Sequence, residues 1–228
     1  MTKLNAYDGA YHWTLEGLER RKYIKQLDLI KRFLSHKDVL LDVGCGDGKL
    51  SHVMSFLTKE VCAIDNQKKP IRLAKQQTKK GNLHFFYSNV LPFKNESFDI
   101  VTSFNVIEHI PEAKVDDFVQ ALVQKVKKNG KVVISTPNKD KLMARILGSK
   151  RYLADKHYQE YTIKEMNELL KRHGLNNKFV AGTYIAVIPS AFEKYYELFP
   201  FSAIFNFFIF LGKMFPSLSE TIVMVFEK

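Results

Sequence analysis

Short, nearly continuous apolar runs alternate along the chain with longer stretches whose apolar residues recur every three or four positions. The runs are Lys37–Val43 with Val39, Leu40, Leu41 and Val43, Glu60–Asp65 with Val61, Ala63 and Ile64, and Leu83–Tyr87 with Phe85 and Phe86. Two more are Phe98–Phe104 with Ile100 and Val101, and Lys131–Ser135 with Val132, Val133 and Ile134. Short runs without a polar alternate face predict strands buried on both sides. Between the last two, Glu112–Lys128 predicts a helix: Val115, Phe118, Val119, Leu122, Val123 and Val126 share a face opposite Asp, Gln and Lys. Pro111 suits its first turn, and Gly130 follows its end. Ile163–His173 predicts another, with Met166, Leu169, Leu170 and His173 on one side, a Thr162/Glu165 capping box and Gly174 just beyond. Tyr23, Leu27, Ile30 and Leu34 mark a helix near the N-terminus, and Glu220–Lys228 reads as a closing strand. Strands alternating with helices imply a parallel sheet covered on both faces, with the ligand crevice at the carboxyl ends of its strands.

Composition adds limits. The chain has 228 residues, 46% hydrophobic and 26% charged, without repeats or low-complexity linkers. That excludes a disordered, collagen-like or disulfide-scaffold protein. Lys plus Arg is 35 and Asp plus Glu 24, a net charge of +11. Such a charge suits an anionic partner (RNA, an anionic membrane, a phosphorylated substrate) or a lysine-rich soluble surface. Cys45 and Cys62 have neither zinc-ligand spacing nor a disulfide framework, so a reducing, cytoplasmic setting is expected. Met1–Tyr11 lacks the apolar centre of a signal peptide.

The candidate chemistry starts at Leu40–Leu50, where a strand runs into Gly44-Cys45-Gly46-Asp47-Gly48-Lys49 and then a helical pattern. Glycines here allow a tight turn and close approach of a ligand to backbone. A dinucleotide fingerprint needs a third glycine at 49, which is lysine, and no P-loop is present. The loop therefore suits a ligand without a pyrophosphate. Asp65 ends the second strand, where a carboxylate can accept both hydroxyls of an adenosine ribose. Asp42 would orient the loop or face a cationic group of the ligand.

Leu40–Leu50 resembles motif I of the class I S-adenosylmethionine-dependent methyltransferases. Val61–Asn66 resembles their second motif. Ser88–Phe93 followed by Ser97–Val101, and then Asn105-Val106-Ile107-Glu108-His109-Ile110, resemble stretches of the ubiquinone- and menaquinone-methyltransferase-like branch, and Gly130–Asn138 resembles its fifth strand and exit loop. The resemblance implies a Rossmann-like three-layer α/β/α sandwich with a seven-stranded, mostly parallel sheet whose last strand is antiparallel. It implies one domain over 1–228: N-terminal lid helices (1–36), a cofactor-binding core (37–138) and an acceptor-side half (139–228) with a hydrophobic helical insertion at 190–217.

It further implies S-adenosyl-L-methionine as cofactor and S-adenosyl-L-homocysteine as product. Gly44, Cys45 and Gly46 would pass beneath the methionine part, and Asp42 and His109 would belong to the same cofactor-binding set. Asp65 would hold the ribose. Asn66 and Gln67 would lie along the adenine, with Asn89 and Val90 beside it, Asn89 standing where the family usually has aspartate. Asn105 would reach the amino-acid end through its backbone.

Methyl transfer is an in-line displacement for which the enzyme chiefly positions the acceptor. An oxygen acceptor also loses a proton, and His109, at the crevice end of the fourth strand, is the leading base; the alternative is that it shapes the pocket floor. His157 and Tyr161, in a segment similar to one near the family's acceptor pocket, are further catalytic candidates. Tyr11, Trp13 and Arg21 are candidates for a lid, the alternative being a helix packed on the sheet. No metal ligands are expected. Asn138–Lys156, with Lys139, Lys141, Arg145, Lys150, Arg151 and Lys156, reads either as a phosphate-facing surface or as a solvated face.

The stretch from Phe192 to Phe215 holds eight of eighteen phenylalanines. Its uncharged part, Leu198–Gly212, is 15 residues, about 22 Å as a helix and short of a hydrocarbon core of about 30 Å. Within Phe201–Lys213 only Ser202, Asn206 and Lys213 are polar. Such a helix caps an apolar acceptor pocket, lies on a membrane surface, or is a dimer seam or plain core. The expected activity is methyl transfer to a small-molecule or lipid-linked acceptor, with possible peripheral membrane contact through 192–215. The alternatives are an RNA methyltransferase, less favoured without an appended RNA-binding module, and a non-catalytic binding protein. Either a monomer or a homodimer fits.

Overall fold

A computed structural model describes residues 11–13, 17–147, 157–186 and 201–228. Lys150, Arg151 and Lys156 of the basic run, Phe192 and Phe199, and the side chains of Tyr11 and Arg21 lie outside the described parts. The described elements run α1 (Gly17–Ile30), β1 (Val39–Val43), α2 (Lys49–Met54), β2 (Glu60–Asp65), α3 (Lys68–Gln77), β3 (Leu83–Tyr87), β4 (Phe98–Phe104) and α4 (Val115–Lys125). They continue through β5 (Val126–Pro137), α5 (Leu142–Leu147), α6 (Ile163–Arg172), β6 (Asn176–Gly182), α7 (Phe201–Met214) and β7 (Thr221–Glu227).

The seven strands form one sheet in the order β3-β2-β1-β4-β5-β7-β6. The first five are parallel, and β7 runs antiparallel between β5 and β6. Leu27 and Ile30 of α1 and Ile71 and Ala74 of α3 join one apolar cluster, while Val119 and Leu122 of α4 and Met166 and Leu170 of α6 join another. Three layers result, as the alternating pattern predicts. The strand order reverses between β1 and β4, which opens the crevice at their carboxyl ends.

The capping box at Thr162 and Glu165 forms, and Gly174 takes a φ of +80°. Two boundaries differ from expectation. The helix expected over Glu112–Lys128 opens with a 3-10 turn and its α-helical part ends at Lys125; Val126 already pairs with Phe98 as the first residue of β5. The cause is tertiary: the N–H groups of Glu96 and Ser97 donate to the carbonyls of Gln124 and Lys125 and cap the helix there. Gly130 therefore lies inside β5, after Asn129 in a left-handed conformation.

The insertion carries α7 between β6 and β7, and its two sides differ. Phe205, 2% exposed, packs against Tyr184, and a Cβ on Gly212 would lie 2.6 Å from the Tyr184 backbone. The opposite side bears Phe207 and Phe210, each 55% exposed, with Met214 and Ile204. The plain-core reading of this helix fails for that face. Among the described residues, no helix is long and apolar enough to cross a membrane.

Candidate active site

The glycine loop hangs from its neighbouring strand. The N–H groups of Gly44 and Cys45 donate to Ile64 O at 2.8 and 3.1 Å. Gly46 N–H donates to Asp65 Oδ2 at 2.9 Å, and Gln67 N–H to Oδ1 at 2.8 Å. Gly44, Gly46 and Gly48 all have positive φ. A Cβ on Gly44 would meet Val106 Cγ2 at 2.3 Å, but one on Gly46 would meet nothing within 4 Å. Gly46 thus marks the open side of the loop, where a ligand can lie against bare backbone. Each Asp65 oxygen keeps a further lone pair for a ligand hydroxyl. This donor and acceptor set fits an adenosylated sulfonium without a pyrophosphate.

Asp42 lies beneath the loop, 2% exposed. Its carboxylate accepts from Ser51 Oγ at 2.5 Å and Thr102 Oγ1 at 2.8 Å, so it ties α2 and β4 to β1. Burial pushes its pKa to about 6. Burial likewise raises Asp65, against the backbone N–H groups that lower it, and pushes the Cys45 thiol well up, leaving a neutral thiol. Asn66, Gln67, Asn89 and Val90 are exposed around the ends of β2 and β3. Asn105, after β4, is held at φ +53°, a strained conformation for a non-glycine residue, with its N–H on Ser135 O at 3.0 Å.

The turn at Tyr11–Trp13 is tied to the far end of the loop, while Leu27 and Ile30 of α1 pack on the sheet. His12 N–H donates to Asp47 Oδ2 at 2.8 Å, Trp13 Nε1–H donates to Asp47 O at 2.7 Å, and the Lys49 ammonium sits 4.3 Å from the Trp13 ring centroid.

At the end of β4 the chain turns through Ile107–His109 and meets the segment entering α6. Tyr158 N–H donates to Glu108 O at 2.8 Å, and the rings of His109 and His157 meet edge to face with centroids 4.9 Å apart. Glu108 is 1% exposed; its Oε2 accepts from Thr136 Oγ1 at 3.1 Å, while Oε1 is buried without a partner. Glu108, His109 and His157 each offer a ligand atom, all within 4.8 Å of one another. The group suits proton transfer, and could equally hold a divalent cation, where the sequence reading expected no metal ligand. Tyr161 follows nearby; burial raises its phenol pKa, and the Glu108 charge is among those that add to the rise. It turns into the core, 8% exposed, and Gln159 Nε2 donates to its hydroxyl.

Sequence reasoning missed several partners. Lys141 and Glu160 form a buried ion pair at 3.2 Å. Lys139 pairs with Glu165 and Arg145 with Asp140, so the described cations of the basic run are matched by carboxylates. The one available signal was the three-residue spacing of Glu160 from His157.

Burial pushes the Glu108 pKa from 4.5 to about 7. The folded state therefore holds protons that the unfolded chain has released, and stability falls as pH rises from about 4.5 to 7. The difference is at most about 3 kcal/mol for this group. Urea unfolding at a series of pH values should show that slope, flattened in Glu108→Gln. Parallel slopes in the two proteins would contradict it.

Strand order, glycine loop and the acid closing β2 define a class I S-adenosylmethionine-dependent methyltransferase. A family profile described as a methyltransferase domain matches residues 17–178. The ubiquinone biosynthesis O-methyltransferase of Pelagibacter ubique is 30% identical over 192 residues, 76% of this chain and 79% of that protein. The mitochondrial ubiquinone biosynthesis O-methyltransferase of Schizosaccharomyces pombe is 37% identical over 117 residues, a match spanning only 40% of that protein. An S-adenosylmethionine-dependent methyltransferase from Aquifex aeolicus shares the fold, with a TM-score of 0.65 at 16% identity over 99% of both chains. This chain belongs to the methyltransferase-domain family, in its ubiquinone-methyltransferase-like branch.

Proposed function

We propose that this enzyme methylates a hydroxyl oxygen of a small acceptor carrying an apolar tail. The observation that carries the reading is the bare outer face of α7, with Phe207 and Phe210 each 55% exposed. Asn138, just past β5, donates to the carbonyls of Pro216, Ser217 and Ser219, which tethers the end of α7 to the strand ends. An apolar face there suits an acceptor that arrives from a lipid surface, and the net charge of +11 suits an anionic one. Relatives named as ubiquinone biosynthesis O-methyltransferases support an oxygen acceptor.

S-adenosylmethionine supplies a methyl group activated on a sulfonium. Gly44, Cys45 and Gly46 line its methionine part, above Asp42. Asp65 accepts from the ribose hydroxyls. Asn66, Gln67, Asn89 and Val90 border the adenine, and Asn105 serves the amino-acid end. The strap that carries Trp13 closes over the cofactor and limits water. His109 and His157 face the acceptor, where an imidazole takes the hydroxyl proton. A second reading, favoured by the unpartnered Oε1 of Glu108, has Glu108, His109 and His157 hold a divalent cation that orients the acceptor oxygen. The ion-paired lysines and arginine of the basic run weigh against RNA.

The test uses methyl-labelled S-adenosylmethionine with a total extract of the source cell, partitioned between organic solvent and water. Label in the organic phase is expected. Nuclease-sensitive label in the aqueous phase would replace this reading with RNA, and tight cofactor binding without any labelled product would favour a binding protein.

A further inference from the structure

Two buried charges have no task in that reading. Lys141 and Glu160 are 6% and 9% exposed, and the Lys141 Nζ lies 3.4 and 3.2 Å from the two Glu160 oxygens. A buried ion pair is a poor device for stability, because apolar side chains of similar volume are often neutral or stabilising in its place. The same Glu160 Oε1 lies 3.2 Å from Nδ1 of His157. A carboxylate can only accept, so this bond requires the ring proton on Nδ1 and leaves Nε2 bare. The His157 backbone is anchored separately, through Tyr158 N–H on Glu108 O. Glu160 therefore acts on the ring rather than on the path of the chain.

We propose that Glu160, its charge offset by Lys141, is a positioning residue that locks His157 in the Nδ1–H tautomer and so keeps the Nε2 lone pair available to the acceptor site. This assignment rests on the hydroxyl-acceptor reading above. Of the two histidines, it is His157 whose ring Glu160 orients, and the His109 ring meets it edge to face.

The experiment is 15N NMR of histidine-labelled full-length protein at a pH where the ring is neutral, read beside turnover and melting temperature. His157 is expected to carry its proton on Nδ1. Lys141→Met combined with Glu160→Leu should keep the melting temperature within a few degrees, abolish the tautomer preference and lower kcat at least tenfold, with the Kd for S-adenosylhomocysteine unchanged. Lys141→Met combined with Glu160→Gln removes both buried charges and retains an acceptor for Nδ1–H, so it should hold the tautomer and rescue most of the turnover. A proton on Nε2 in the wild-type protein would overturn the proposal, as would unchanged tautomer and kcat in Lys141→Met with Glu160→Leu. If that variant does not fold, the wild-type tautomer and Lys141→Met with Glu160→Gln still decide the matter. Because the tautomer is read without acceptor, a wrong acceptor and a wrong role for Glu160 give different results.

Discussion

Replacing Asp65 with alanine should raise the Kd for S-adenosylhomocysteine about a hundredfold or more. Each Asp65 oxygen already accepts one backbone N–H, from Gly46 at 2.9 Å and Gln67 at 2.8 Å, and each keeps a lone pair for a ribose hydroxyl. Hydrogen bonds to a charged group are worth about 1.5–3 kcal/mol, so losing two removes about 3–6 kcal/mol. At about 1.4 kcal/mol per tenfold, that is roughly a hundredfold to ten-thousandfold. The alanine also frees the Gly46 N–H and loosens the loop itself. Asp65→Asn keeps one acceptor and should fall between. Titration calorimetry with the product reads the effect without needing an acceptor, and an unchanged Kd for the alanine variant would remove Asp65 from the ribose site.

The second large effect is expected from Phe207→Asp combined with Phe210→Asp. Both rings are about half exposed in the folded chain, so losing their buried halves should cost about 2–3 kcal/mol and lower the melting temperature by several degrees, with product binding left where it is. Covering the exposed half of each ring is worth about 2–3 kcal/mol together. Two carboxylates held against an anionic surface add repulsion. Binding to anionic vesicles, and kcat/KM for a tailed acceptor presented on them, should drop about a hundredfold, while a tail-less soluble acceptor is turned over as before. Equal loss on both acceptors would mean that α7 shapes the pocket and touches no lipid.

The elements of the first half were legible because their cause is local. Glu60–Asp65, Leu83–Tyr87 and Phe98–Phe104 are strands with the bounds their apolar runs imply. The Thr162/Glu165 box is written in two residues three apart and forms as read. The end of α4 was not legible, because the donors that stop it, Glu96 and Ser97, come from another part of the chain. The burial of the Tyr161 ring was not legible either, because the apolar cluster it joins is drawn from strands and helices distant in the chain.

The sequence alone determined the alternation of strand and helix, the glycine turn and the acid nineteen residues beyond Gly46, because periodicity and backbone freedom are properties of neighbouring residues. Tertiary structure alone decided which charges meet. Lys141 looked like one more surface cation in a basic run, and folding buried it against Glu160. Glu108 and His157 are far apart in the chain, and only the packing of the segment before α6 on the end of β4 joined them in one cluster. A side chain's partners, and with them its burial and proton affinity, depend on distances that no local pattern encodes.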